Sequence, residues 1–214
     1  MPDHFIDGLS QLGLQLSEEI IKKELCYLDE LLRWNQRINL TSIKNRDKAI
    51  EKHLLDSLLV LPHLNGVKQL LDMGSGGGLP GIPLAIAHPS LLVVSVDSVG
   101  KKINFQKHIK RLLQLDNLIV VQSRIEELSQ VDPGQGKYDL VVNRAFSSLD
   151  TSIPHAANWI KAGGRLLAMK GPEGREELGA ATEVVARYGF SAPAIFVYNL
   201  PFSHAERQLV FLTK

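Results

Sequence analysis

The densest chemistry in the 214-residue chain lies between Asp72 and Gly81, where Asp-Met-Gly-Ser-Gly-Gly-Gly-Leu-Pro-Gly joins an apolar strand to a helix. Glycines at 74, 76 and 78 let a backbone turn sharply with positive φ and approach a ligand without Cβ obstruction. Pro80 and Pro83 suit the first helical turn, whose amides have no intrahelical acceptor. The next strand ends at Asp97, twenty-one residues after Gly76. A carboxylate there can accept hydrogen bonds from both hydroxyls of a ribose. The pair points to a nucleoside-containing ligand rather than to a structural bend.

Other reactive side chains are fewer. Seven histidines and one cysteine show no zinc spacing, so no metal is expected. Cys26 lies inside a helical apolar pattern and reads as a small buried thiol. His53 and Asp56, three apart, share one helical face. They could touch the mouth of a site, but a hydrogen bond docking the N-terminal helices on a sheet fits better.

The elements that must carry the turn follow from periodicity. Ser17 is a helix N-cap with Glu18 and Glu19 in the first turn. Ile21, Leu25, Leu28 and Leu32 then fall on one face. Residues 35–45 form a polar break, and a second helix carries Ile50, Leu54, Leu58 and Leu61 up to Pro62. From Gln69 short apolar strands alternate with helices. Strands are expected at 69–73, 91–97, 118–122, 138–143, 165–170, 194–198 and 208–212. Helices are expected at 80–87, 100–115, 125–128, 151–160 and 173–188. Such alternation implies an α/β fold with a mainly parallel sheet covered on both faces. Only a loop joins the last two strands, so the final strand runs antiparallel. The chain divides into an N-terminal helical segment, 1–66, packed on the core, and a Rossmann-like domain, 67–214.

The formal net charge of +1 announces no nucleic-acid binder, but its distribution is uneven. Residues 1–30 hold seven acids and two lysines, 33–52 six basic residues and two acids, and 101–111 five basic residues and no acid. Local basic patches can track phosphates on a nearly neutral protein. With a single cysteine, no signal-peptide pattern at the start and no apolar run of membrane-spanning length, a cytoplasmic protein is expected.

The glycine turn satisfies two templates. Gly74, Gly76 and Gly78 match Asp-x-Gly-x-Gly-x-Gly, the pattern of class I methyltransferases, whereas Gly76, Gly78 and Gly81 match the dinucleotide pattern. Three features favour S-adenosylmethionine over a nicotinamide: Asp72 before the glycines, the antiparallel last strand of a seven-stranded sheet, and no Tyr-x-x-x-Lys after the fourth strand.

At this level of detail the chain resembles the bacterial 16S ribosomal RNA guanine-N7 methyltransferases, the glucose-inhibited division protein B or RsmG family. The motifs that carry the resemblance span most of the sequence. They are Trp34-Asn35 with Ile38-Asn39-Leu40-Thr41, His53-Leu54-Leu55-Asp56-Ser57, the turn extended through Ile82-Pro83, and Asp97-Ser98-Val99-Gly100-Lys101-Lys102. Ser123-Arg124-Ile125-Glu126-Glu127, Asn143-Arg144-Ala145-Phe146 and Met169-Lys170-Gly171 complete the set. Gly77 stands where some relatives carry proline.

The resemblance implies that Gly74 and Leu79 touch the cofactor, that Ile125 and Glu126 line its adenine end, and that Arg144 sits at the mouth near the transferred methyl. With Gly76 and Asp97 these form the expected cofactor set. Lys101, Lys102, Arg124 and Lys170 are expected to face RNA, helped by Arg33, Arg37, Lys44, Arg46, Lys107, Lys110 and Arg111. The implied partner is 16S ribosomal RNA, naked or within a small-subunit particle, and a monomer is expected because nothing in the sequence requires more. Guanine N7 carries a lone pair and no proton, so its methylation needs no general base and no catalytic residue is expected.

Overall fold

Strands that are apolar on both faces need cover on both faces, and the chain supplies it. The structure is a computed structural model that describes residues 2–130, 137–144 and 147–214. Its strands are β1 (Gln69–Met73), β2 (Leu92–Asp97), β3 (Leu118–Gln122), β4 (Tyr138–Arg144), β5 (Ile160–Lys170), β6 (Ser191–Asn199) and β7 (Glu206–Thr213). They form one sheet in the order β3-β2-β1-β4-β5-β7-β6. The pairs from β3 through β5 are parallel, and β7 runs antiparallel between β5 and β6. The expected α/β class, seven strands and reversed last strand are all present.

Helices α1 (Pro2–Gln11) and α2 (Glu18–Ile38), the short α3 (Arg46–Ala49), a π-helical turn (Ile50–Leu55) and α4 (Asp56–Leu58) precede the sheet. Helices α5 (Gly81–Ala87), α6 (Gly100–Leu113), α7 (Leu149–Ala157), α8 (Gly174–Ala180) and α9 (Thr182–Arg187) lie between strands. Alternate residues of each strand feed two cores. Leu70, Val93, Leu140, Val142 and Leu167 meet the N-terminal helices, α5 and α6. Leu71, Val94, Val141, Leu166 and Val210 meet α7 and Val185 of α9.

Several elements differ from expectation. Residues 2–11 form a helix whose Phe5 and Leu9 are buried. The segment expected as one helix over 173–188 is two, and β5 starts at Ile160 because that residue pairs with Tyr138 ahead of a bulge. The second N-terminal helix is interrupted by the π-helical turn. Ser17 does cap α2, accepting from the Ile20 amide at 3.3 Å. The face α2 buries is nevertheless shifted: Glu24, Tyr27, Leu28, Leu31 and Asn35 are enclosed, while Ile21, Leu25 and Leu32 lie at its margin. Two polar residues inside the stripe hid its centre from a pattern of apolar spacing.

That register makes a prediction. Leu28→Ala opens a cavity in the main core and costs about 2–5 kcal/mol. Leu25→Ala, at the margin, costs clearly less. Urea unfolding of the two variants checks the order, and a reversed order would contradict the register.

Candidate active site

Three parallel strands end side by side at β1, β2 and β3, and the segments that follow them enclose a cavity of about 510 Å³. Ligands of open α/β sheets bind at this carboxyl edge. The walls include Gly74 of the glycine turn, Asp97 at the end of β2, Lys102 near the start of α6, and Arg124, Ile125 and Glu126 after β3. The volume is ordinary for a small-molecule site.

The turn beside it is held from all sides. Gly74, Gly76 and Gly78 all have positive φ. The Gly74 and Ser75 amides donate to the Val96 carbonyl at 3.0 and 2.9 Å, and the Gly78 and Leu79 amides donate back to the Ser75 carbonyl. The Gly76 amide donates to Asp97 Oδ2 at 2.9 Å, and the Val99 amide donates to Asp97 Oδ1 at 2.8 Å. Gln106 Nε2, on α6, donates to the Gly76 carbonyl at 2.9 Å and to Ser75 Oγ at 2.8 Å, and its Oε1 accepts from Ser95 Oγ. From the opposite side the Tyr27 hydroxyl of α2 donates to the Gly77 carbonyl at 2.9 Å. Most amides of the turn are therefore spent inside the protein. What it offers a ligand is shape and the remaining lone pairs of Asp97, not a row of free donors. A Cβ built at Gly76 would meet nothing within 4 Å, so the space beside the turn is open.

Gly81 has a separate reason to be glycine. Its amide donates to Asp72 Oδ2 at 2.9 Å, and a Cβ there would stand 2.6 Å from that oxygen. Asp72 thus caps the start of α5 from within β1. It is fully enclosed, and its Oδ1 has no hydrogen-bond partner. Burial pushes its carboxyl up to about 7, against the opposing pull of the Gly81 amide and the Arg144 guanidinium.

Of the expected cofactor residues, Gly74, Asp97, Ile125 and Glu126 surround one cavity, and Gly76 is one hydrogen bond away. Leu79 points into the core. Arg144, the last residue of β4, is tied to the N-terminal segment: Nη1 donates to the Lys52 carbonyl and to Asp56 Oδ2, both at 3.0 Å, and Nη2 lies 3.2 Å from His53 Nδ1. Its family-motif neighbours Ala145 and Phe146 lie outside the described residues.

The expected RNA residues divide. Lys101 and Arg124 are exposed. Lys102 turns into the cavity, its ammonium 3.7 Å from Asp97 Oδ2. Lys170 pairs with Glu177 at 2.7 Å and donates to the Ser147 carbonyl at 2.6 Å, so its charge is spent internally.

Tyr27 and Gln106 carried no sequence motif. The one available signal was a polar tip inside an otherwise apolar helical stripe. The thiol of Cys26 is pushed up by burial and by Glu30 and Asp29, the opposite of nucleophile activation. Among the described residues no cluster of three or more metal-ligating side chains converges, and no helix is long and apolar enough to cross a membrane.

Comparison with known proteins gives this geometry a family. A family model described as rRNA small subunit methyltransferase G matches residues 20–210. A ribosomal RNA small subunit methyltransferase G of Syntrophotalea carbinolica is 47% identical over 100% of this chain and 98% of its own length. Its counterpart in Aromatoleum aromaticum is 41% identical over 97% and 96%. In fold, the chain resembles an O-methyltransferase from Bacillus cereus solved in complex with SAH. The TM-score is 0.63 at 16% identity, covering 88% of this chain and 91% of that one.

The pH response of Asp72 tests the site. An unfolded aspartate ionises near 3.9, roughly the model-peptide value, while the folded protein holds the Asp72 proton to about 7. Between those values the folded state binds more protons, so this group's contribution to stability is lost as pH rises through that window. Asp72→Asn removes that slope. Melting temperatures of both proteins from pH 4 to 8 measure it, and parallel profiles would contradict the buried, protonated carboxyl.

Proposed function

The chain belongs to the rRNA small subunit methyltransferase G family, and on that premise we propose that it transfers a methyl group from S-adenosylmethionine to N7 of a guanine in 16S ribosomal RNA. The methyltransferase class and the cofactor follow from the family and from the fold. The observation that carries the site assignment is the cavity bounded by Gly74, Asp97, Ile125 and Glu126 at the carboxyl ends of β1 to β3.

The residues fit the group. Each Asp97 oxygen accepts one backbone amide, which leaves lone pairs for ribose hydroxyls. Ile125 offers an apolar wall for an adenine, and Glu126 lies beside it on the exposed rim. Lys102 offsets the charge of Asp97 within the same wall. S-adenosylmethionine supplies an electrophilic methyl on a sulfonium. The protein's own task is to align that methyl with the N7 lone pair and exclude competing water. Such alignment can contribute about 7–11 kcal/mol in favourable cases. No side chain has to remove a proton, and His53 is a weak base in any case: burial and the Arg144 charge bring it down to about 4.

RNA would reach the cavity past Lys101 and Arg124, the exposed cations of the expected set. Lys102 and Lys170 serve the cavity wall and the β5 end instead. We also propose 1–66 as an N-terminal helical segment packed on the core and 67–214 as the methyltransferase domain, with the RNA met naked or within a small-subunit particle and a monomer as the working enzyme.

Two measurements check this. Deleting the gene and quantifying 7-methylguanosine in the small-subunit RNA by mass spectrometry should show loss at one position; an unchanged level sinks the reaction. Lys101→Ala should weaken RNA binding and lower its salt slope by about one unit. Lys102→Ala should instead lower S-adenosylmethionine affinity and leave the slope alone; the opposite pattern would exchange the two lysines' roles.

A further inference from the structure

We propose that Asp56, seconded by His53, is a positioning residue that sets Arg144 for methyl transfer. This rests on the assignment of Arg144 to the mouth of the cofactor site. The groups around the Arg144 guanidinium come from residues 52–56: the Lys52 carbonyl and Asp56 Oδ2 accept from it at 3.0 Å, and His53 Nδ1 lies 3.2 Å from Nη2 and 3.1 Å from the same Lys52 carbonyl. They lie in or beside the π-helical turn, where the Asp56 amide reaches back five residues to the Glu51 carbonyl. Such turns are rare and are frequently found at functional sites.

The clamp is fixed at its outer side as well. Thr41 Oγ1 lies 2.8 Å from His53 Nε2. His53 Nδ1 sits between the Lys52 carbonyl at 3.1 Å, which only accepts, and Arg144 Nη2 at 3.2 Å, which only donates, so the ring is wedged against both groups of the clamp while Thr41 fixes its Nε2. Asp56 Oδ1 accepts from Arg207 Nε at 3.0 Å, so one nearly enclosed carboxylate stands between two arginines and cannot turn away from either.

Docking alone does not require this arrangement. Leu54, Leu55 and Leu58 are already fully buried on the same segment, and a desolvated ion pair stabilises a fold no better than well-packed apolar side chains. The reaction does supply a reason. Methyl transfer moves positive charge from sulfur to the base, and an unmatched arginine at the mouth would oppose both charged states. An arginine matched by Asp56 and aimed by His53 can orient the reactants without that repulsion.

The test is a double-mutant cycle on the full chain, with methyl transfer to small-subunit RNA as the readout. Asp56→Asn keeps the volume and one acceptor but loses the charge. It should lower kcat by up to about 100-fold, the scale of a small misplacement at a reacting centre, while KM for S-adenosylmethionine changes far less. Arg144→Lys keeps the charge but loses the fork, and should lower kcat similarly. In the Arg144→Lys background Asp56→Asn should cause no further loss. Additive losses, or an unchanged kcat in Asp56→Asn, would overturn the clamp while leaving Arg144 in the site. Full kcat in Arg144→Lys would overturn the assignment of Arg144 itself. If Asp56→Asn does not fold, His53→Asn carries the same cycle with the same outcomes.

Discussion

The glycine turn keeps its shape because side chains from outside it take up its backbone polar groups. Asp97 holds the Gly76 amide, Gln106 the Gly76 carbonyl, Tyr27 the Gly77 carbonyl and Asp72 the Gly81 amide. Each such bond contributes only about 0.5–1.5 kcal/mol net, but leaving a buried group unmet costs more. The constraint therefore works by exclusion: other conformations of this segment strand polar groups inside the protein. The cavity exists because the turn is held back from the space in front of β2 and β3.

Two of the four braces tie distant parts of the fold to one place. Tyr27 is fifty residues from Gly77 and Gln106 is thirty from Gly76. The N-terminal helices are thus more than a cover for one face of the sheet. α2 supports the turn through Tyr27 and through Leu31, whose methyl would meet a Cβ on Gly77 at 2.9 Å. The segment after it holds Arg144 and, through the Glu51 carboxylate, the Phe202 and Ser203 amides of the β6–β7 loop.

Local features were legible in the sequence, and features set by distant packing were not. The parallel strands are apolar runs between turns, and β1 and β3 were bounded correctly by composition alone. Ser17 was readable as a cap because its partner is three residues away. The reversed β7 was readable because its loop is too short for a crossover. The pairing of Asp97 with the glycine turn was readable because the distance between them follows from the length of one helix and one strand. By contrast, Lys101 and Lys102 look equivalent in sequence, and only the direction of α6 sends one to solvent and the other to Asp97. Glu24 and Asn35 disguised the buried stripe of α2, because a charged residue and an amide read as surface. The π-helical turn leaves no periodicity signal at all, since it alters hydrogen bonding within a segment that is helical by pattern. His53 and Asp56 were seen as a pair, yet their shared partner Arg144 lies about ninety residues on.

Every proposed role of the site residues depends on the cavity beside Asp97 being the cofactor site. Isothermal titration of S-adenosylmethionine into the protein and into Asp97→Ala measures this directly. The carboxylate's hydrogen bonds predict a loss of roughly tenfold or more, the scale of charge-assisted bonds removed one partner at a time. Equal affinity in the two proteins would place the cofactor elsewhere and contradict the assignment.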